Sequence, residues 1–325
     1  MGQDFMTGKK DGVSSLNSFG LNFTDSWGDK VDASVNYFFN HMKNYTRKDI
    51  YRQYLMESMN GQEYTEFDEV ESKNGNHRIF ARIDYQPDER NRIMFRPNIS
   101  IQNNKYNSML MGETFDERDM ISRTSSDFIS SSSAINGSTD LLLMHRFEKT
   151  GRSVSLHLNS NFSNREGKNY LLARNEFYQD DLINIDSLDQ YAENFLPSNS
   201  ISARFAYTEP LSENSVVQFS YRYSRNWSES DRRTWDYDPE TSEYSTIDSL
   251  ISGIFDNNFD KNQAGIGYRF MKNRTMLMAG INYENTLLIN DQEFPNPLSN
   301  RCYFNCILPN SMFNLRGKKG KNMRI

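Results

Sequence analysis

The residues from Lys30 to Asn40 read KVDASVNYFFN, and their apolar side chains alternate: Val31, Ala33, Val35, Tyr37 and Phe39 share one parity, Asp32, Ser34, Asn36 and Asn40 the other. A period of two belongs to an extended strand with one apolar and one mostly polar face. The same pattern returns at Ile79, Ala81, Ile83 and Tyr85, at Ile93, Phe95, Pro97, Ile99 and Ile101, at Val154, Leu156 and Leu158, and at Ile201, Ala203, Phe205 and Tyr207. It continues through Val217, Phe219, Tyr221 and Tyr223, through Ala264, Ile266, Tyr268 and Phe270, and through Leu277, Ala279, Ile281 and Tyr283. The opposite parity carries Arg78, Arg82, Asp84, Arg92, Arg96, His157, Arg204, Arg222, Arg269 and Glu284, with Asn, Gln, Gly and Ser between them. Helical periodicity has little support, so the pattern predicts an all-β chain.

Short polar breakers interrupt the pattern at DSWGDK (25–30), PDERN (87–91), EKTGR (148–152), EPLSENS (209–215), MKNRT (271–275) and RGKKGKN (316–322). They recur roughly every 60 residues, the last interval being shorter, which is a spacing of hairpins rather than of a solenoid repeat. Between them lie long polar stretches at 57–75, 105–138, 163–197, 228–262 and 286–300, which are expected to be loops. Alternating short and long connections predict an antiparallel up-and-down transmembrane β-barrel, with short turns at one rim and long external loops at the other. Phe23, Tyr85, Phe147, Tyr207 and Phe270 each precede or enter a short turn, as an aromatic girdle at one membrane interface requires. On this reading the apolar parity meets lipid and the polar parity lines a lumen, because backbone groups in hydrocarbon must all pair strand to strand. A soluble all-β module is the competing reading, but a sandwich has no reason to gather its long loops at one end.

Composition then changes the picture less than it first promises. An apolar share of 36% and a mean hydropathy of −0.79 look soluble, yet a barrel needs apolar residues only at alternate strand positions. No apolar run is long enough for a transmembrane helix. The opening MGQDFMTGKKDG lacks the apolar core of a signal peptide, so residues 1–13 are expected to be a lead-in from a missing N-terminal region and 14–325 a partial outer-membrane barrel. Six short turns define about eleven strands and the beginning of a twelfth. With 37 basic against 43 acidic residues and a net charge of −6, no basic stripe marks a nucleic-acid partner.

The stretches SFGLNFTDSWGDKVDASVNYFFN, NHRIFARIDYQPDERNRIMFRPNISIQNN, FAYTEPLSENSVVQFSYRYSRNWSESDRRTWDYD, FDNNFDKNQAGIGYRF and LMAGINYENTLLINDQEFP resemble the outer-membrane β-barrel domain of TonB-dependent receptor-like proteins of Gram-negative bacteria. The most specific piece is TEPLSENS…SYRYSRNWSESDRRT, a turn followed by a long Ser/Arg-rich strand. The resemblance implies a 22-stranded barrel filled by an N-terminal plug and driven by the inner-membrane TonB complex, often behind a carboxypeptidase-regulatory-like domain. No plug or TonB box precedes Met1, and KNMRI stops without the terminal aromatic expected for barrel insertion, so a fragment of about half the barrel is expected. The implied function is import of a nutrient or metal chelate, with outer-membrane lipid, the TonB complex and a surface lipoprotein as partners. The alternative is a passive porin-like or structural barrel without TonB coupling.

The search for chemistry assigns no catalytic, cofactor or metal residue, and the chain is expected not to be an enzyme. The histidines, His41, His77, His145 and His157, are spread over separate strands without a zinc or nucleophile motif, and His157 falls on the polar parity, as a solvated lumen residue would. Cys302 and Cys306 are four residues apart, roughly 13 Å in an extended strand and too far for a disulfide. Acidic runs at FDERD (115–119), QDDLINIDSLD (179–189), DYDPETSEY (236–244) and FDNNFD (255–260) read as solvated loop tips. Asp256, Asn258 and Asp260 begin like a calcium loop, but Lys261 replaces the required Gly and Gly267 stands where the bidentate Glu belongs, leaving only irregular calcium binding open. Aromatics in the same stretches, Tyr106, Phe115, Phe128, Tyr170, Phe177, Tyr178, Tyr191, Trp227, Trp235, Tyr237 and Tyr244, would suit a sugar, peptide or chelate platform. Trp227 and Trp235 would equally mark an upper girdle or pack the loops on themselves.

Overall fold

The computed structural model describes residues 11–55, 61–117, 119–179, 182–272, 275–316 and 322–324, and every regular element in them is a strand. In chain order these are β1 (Val13–Trp27), β2 (Val31–Gln53), β3 (Gln62–Tyr85), β4 (Asn91–Asp116), β5 (Asp119–Arg146), β6 (Ser153–Gln179) and β7 (Leu182–Phe195). They continue as β8 (Ser198–Ser212), β9 (Ser215–Asp238), β10 (Glu243–Ile247), β11 (Gly253–Lys272), β12 (Thr275–Phe294), β13 (Leu298–Arg316) and β14 (Asn322–Arg324). All fourteen join one sheet, in the order β1-β2-β3-β4-β5-β6-β7-β9-β11-β12-β13-β14, with β8 also between β6 and β9, and β10 against β9. Every pairing is antiparallel, so the up-and-down reading of the sequence holds.

β7 and β8 are one stave of this wall. β6 pairs first with β8, up to Ser163 opposite Ser198, and then with β7 from Glu166 opposite Phe195. The interruption falls at Leu196 and Pro197, and proline has no N–H to give to a ladder. Flanking groups close the gap: Leu196 N–H donates to Arg165 O at 2.8 Å, and Glu229 N–H to Pro197 O at 3.0 Å. With β10 a side hairpin on β9, the path has twelve positions, the last a three-residue stub. That is the expected eleven strands and the start of a twelfth. Pro97 leaves a smaller scar, for the β3–β4 ladder lacks the two pairs between Phe80↔Asn98 and Ile83↔Phe95 while keeping its register.

Register turns the sequence parities into continuous bands. Val35 lies opposite Ala81 and Tyr37 opposite Ile79. Ile79 then meets Ile99, Ile101 meets Ile135, Leu141 meets Leu158 and Leu156 meets Phe205. Farther on, Phe205 meets Tyr221, Phe219 meets Ile266, Ile266 meets Ile281 and Tyr283 meets Ile307. These apolar side chains stand exposed, Phe219 at 49% and Ile281 at 47%. A sheet that leaves a whole apolar band uncovered is built for lipid rather than for a second layer.

The long polar stretches are not loops, and here the structure corrects the sequence reading. Residues 62–75, 105–116, 119–138, 163–179 and 182–195 all lie in paired strands, and only narrow tips or turns separate the hairpins. Outside hydrocarbon no lipid demands an apolar residue at every second position, so the alternation fades while the hydrogen-bond ladder continues. Parts of two expected short turns, 273–274 and 317–321, lie outside the described residues. External protease on whole cells is therefore expected to cut at the hairpin tips, above all at 239–242 and 248–252 on either side of β10, and to spare both the paired strands and the 86–90 turn. Mapping the fragments by mass spectrometry checks this, and cuts confined to 86–90 would invert the topology.

Candidate functional site

The polar parity builds a wall whose lower part is charged. Asp84 accepts from Arg92 Nε at 2.8 Å and Nη2 at 2.5 Å, and from Arg82 at 3.2 Å. On the neighbouring staves Asp140 accepts from Arg96 at 3.1 and 2.6 Å and pairs with His157 Nε2. The sequence named no orienting partner for His157; the β5–β6 register supplies one, because Leu142 lies opposite His157 and puts Asp140 one step away on the same face. Farther round, Lys261 reaches Glu284 at 2.6 Å. Higher on the same face amides and hydroxyls replace charges: Asn22 pairs with Asn36 and Asn74 with Asn104, Gln102 donates to Asn104 at 3.3 Å, and Ser163 donates to Asn136 at 2.7 Å. Such groups suit a wet lumen, since each presents spare donors and acceptors.

The short-turn rim is pinned by ion pairs below the apolar band. Glu209, two residues past Tyr207, accepts from Arg152 Nε and Nη2 at 2.7 and 2.8 Å, from Lys149 at 2.7 Å and from the Tyr207 hydroxyl at 2.6 Å. Arg152, Lys149 and Tyr207 together hold its carboxyl far below the usual carboxylate value of 4.5. In the 86–90 turn, Asp88 is likewise lowered by the Asn91 side chain and by the Arg90 and Asn91 N–H groups. A depressed carboxylate contributes stability that is complete above its unfolded pKa and is lost as pH falls through the folded one. Glu209→Gln should therefore lower the urea midpoint at pH 7 and lose its effect progressively below pH 4.5. A deficit independent of pH would remove the ion pairs from the explanation.

Five of the eleven candidate aromatics form one group. Tyr170 and Tyr191 stand with ring centroids 4.6 Å apart, Tyr191 stacks on Trp235 at 5.7 Å, and Tyr244 packs against Tyr237 at 5.4 Å. The Tyr244 hydroxyl donates to Asp189 at 2.8 Å, and burial together with that bond pushes its pKa up to about 12. Tyr170 shares the parity of Leu158 and Phe162, so the group sits on the face of the apolar band, roughly 26 Å of strand beyond Phe162. It packs the external hairpins on one another and does not line the polar face. Tyr106 and Phe128 pair separately at 6.0 Å on the polar parity. Trp227 stays on the apolar parity beside the Arg225 guanidinium at 5.9 Å, and Phe115, Phe177 and Tyr178 lie near hairpin tips.

The remaining candidates are placed as follows. Asp256, Asn258 and Asp260 lie in β11, where alternate side chains of an extended strand spread apart rather than wrapping a cation. Asp180 and Asp181 lie outside the described residues; Asp238 caps a turn by accepting from Glu240 N–H at 2.9 Å. Cys302 and Cys306 are free thiols on one parity of β13. Among the described residues no group of three or more His, Cys, Asp or Glu side chains is placed to hold a metal ion. His77 joins Tyr37 at 2.9 Å, and His145 joins Asn91 at 2.8 Å and packs edge-on against Phe147.

Neither a curated protein nor a solved structure matches the chain. Residues 145–323 match the model of the outer membrane protein beta-barrel family, a span that runs from the end of β5 to β14 and holds more than half of the sequence. An apolar band exposed on one face, a polar wall on the other and antiparallel staves that all join one sheet agree with that match. The chain therefore belongs to the outer membrane protein beta-barrel family, and its place is the outer membrane.

Proposed function

We propose that the chain forms part of the wall of a TonB-driven outer-membrane importer of a nutrient or metal chelate. The observation that carries this reading is width. Among the described residues, twelve sheet positions follow one another without β1 pairing to β13 or β14. A wall that wide and still open supports a barrel well above the eight-stranded class whose interior side chains fill, and in the range of barrels of about 22 strands with plugged lumens. The resemblance of the strand-turn stretches to TonB-dependent receptor-like barrels points the same way. A plug seated in the lumen would then link this wall to the TonB complex, and the tall external hairpins offer a surface to a lipoprotein.

A passive porin-like barrel is the second reading, favoured by the uncharged amide and hydroxyl rows on the polar face. Uptake by cells expressing the intact gene product separates the two. Dissipating the inner-membrane proton gradient should abolish accumulation and leave surface binding intact if transport is energy-coupled. Flux that persists, together with steady conductance in planar bilayers, would establish the passive barrel instead.

A further inference from the structure

On the polar face, β8 and β9 set Arg204 directly opposite Arg222, and His157 lies opposite Arg204 on its other side. Like charges directly opposed across a ladder destabilise it. Three other guanidinium groups on this wall are matched, Arg82 and Arg92 by Asp84 and Arg96 by Asp140. Among the described residues, Arg204 and Arg222 meet no carboxylate within ion-pair distance. The acids two staves away are already engaged, Asp140 by Arg96 and His157, and Glu284 by Lys261.

Beside this pair the wall is hollowed. A recess of about 310 Å³ is lined by Arg204, Gln218, Ser220, Gly265, Gly267 and Asn282, among others. Register makes its floor: Ser220, Gly265 and Asn282 form one row, and Gln218, Gly267 and Gly280 the next. A Cβ on Gly265 would collide with Asn282 Oδ1, so the amide lies over the glycine, whereas a Cβ on Gly267 would meet nothing nearer than 4.0 Å. The result is a floor left open at Gly267, walled by amide and hydroxyl groups, with Arg204 in its lining and Arg222 opposite Arg204 across the β8–β9 ladder.

Guanidinium forks match the planar or tetrahedral oxygens of carboxylate and phosphate, and neutral amide and hydroxyl donors complete such a shell. We propose that this recess binds a carboxylate or phosphate group held between Arg204 and Arg222. Its source is either an anionic solute in the lumen or an acidic side chain of a protein segment seated there. The inference requires that the polar face line a lumen; it does not require energy coupling, so a passive barrel would keep the site.

Calorimetric titration of the intact, detergent-folded gene product with inorganic phosphate and with citrate tests it. The native protein should bind at least one of these anions. Arg204→Gln/Arg222→Gln should weaken that binding at least tenfold, while Arg225→Gln, on the other face of β9, should leave it unchanged. Equal affinity in the double variant would overturn the site. Where the native protein binds neither anion, the melting temperature decides: a lower value in the double variant assigns the recess to a carboxylate of the protein's own interior. An unchanged or higher value, the mark of relieved repulsion alone, overturns the proposal. Loss or persistence of uptake on de-energising the cells moves none of these readouts.

Discussion

Replacing Ile266 by Arg is expected to cost the folded barrel about 2–4 kcal/mol, and replacing its neighbour Gly267 by Arg much less. Ile266 is 45% exposed and lies in register between Phe219 and Ile281. It stands six residues from the end of β11 at Lys272. A crossing strand uses about 9–11 residues, which puts Ile266 near the bilayer midplane, where a guanidinium loses its hydration without gaining a partner. Gly267 faces the opposite way, into the recess, where a Cβ would find no heavy atom nearer than 4.0 Å. An Arg there stays in water, and its repulsion from Arg204 is moderated by that solvent. Urea titration of the intact protein folded into lipid vesicles measures both. Equal losses at the two positions would mean that the faces have been assigned wrongly.

What the sequence made legible follows from where lipid acts. Between Val31 and Phe39, or Ile201 and Tyr207, hydrocarbon fixes every second residue, so the strands and their facing could be read directly. Beyond the membrane that constraint ends, and residues 163–179 read as a loop although they continue β6. The polar wall was legible by parity and illegible by partner. Arg204 and Arg222 both fell on the polar parity, but their opposition depends on the tight 213–214 turn and on a register shift between Pro210 and Ser212. The bond of Asp140 to His157 similarly depends on how the 147–152 turn sets the β5–β6 register. Tyr170, Tyr191, Trp235, Tyr237 and Tyr244 were each visible as aromatics in polar stretches. Their gathering into one group needs β6, β7, β9 and β10 side by side, which no local pattern states.

The second large effect concerns the two edges of the sheet. Among the described residues, β1 bonds only to β2 along its fifteen residues, and β13 beyond β12 meets just the three residues of β14. Phe19, Leu21 and Phe23 lie opposite Phe39, Tyr37 and Val35, so the β1 edge carries the same apolar band as the interior staves and lies at the same depth. Along such an edge alternate residues direct N–H and C=O outward, which over a crossing of about ten residues leaves on the order of ten groups unpaired. Each costs several kcal/mol in hydrocarbon, so one bare edge costs on the order of tens of kcal/mol, more than a domain's whole stability of about 5–15 kcal/mol. The 325 residues expressed alone are therefore expected to aggregate edge to edge rather than to persist as an open sheet in a bilayer. Refolding them with lipid and assaying heat-modifiable migration and a protease-resistant core decides the matter. A compact, resistant product would show that β1 and the β13–β14 side find each other. The wall would then be a small closed barrel, and the width that supports a plugged importer would no longer do so.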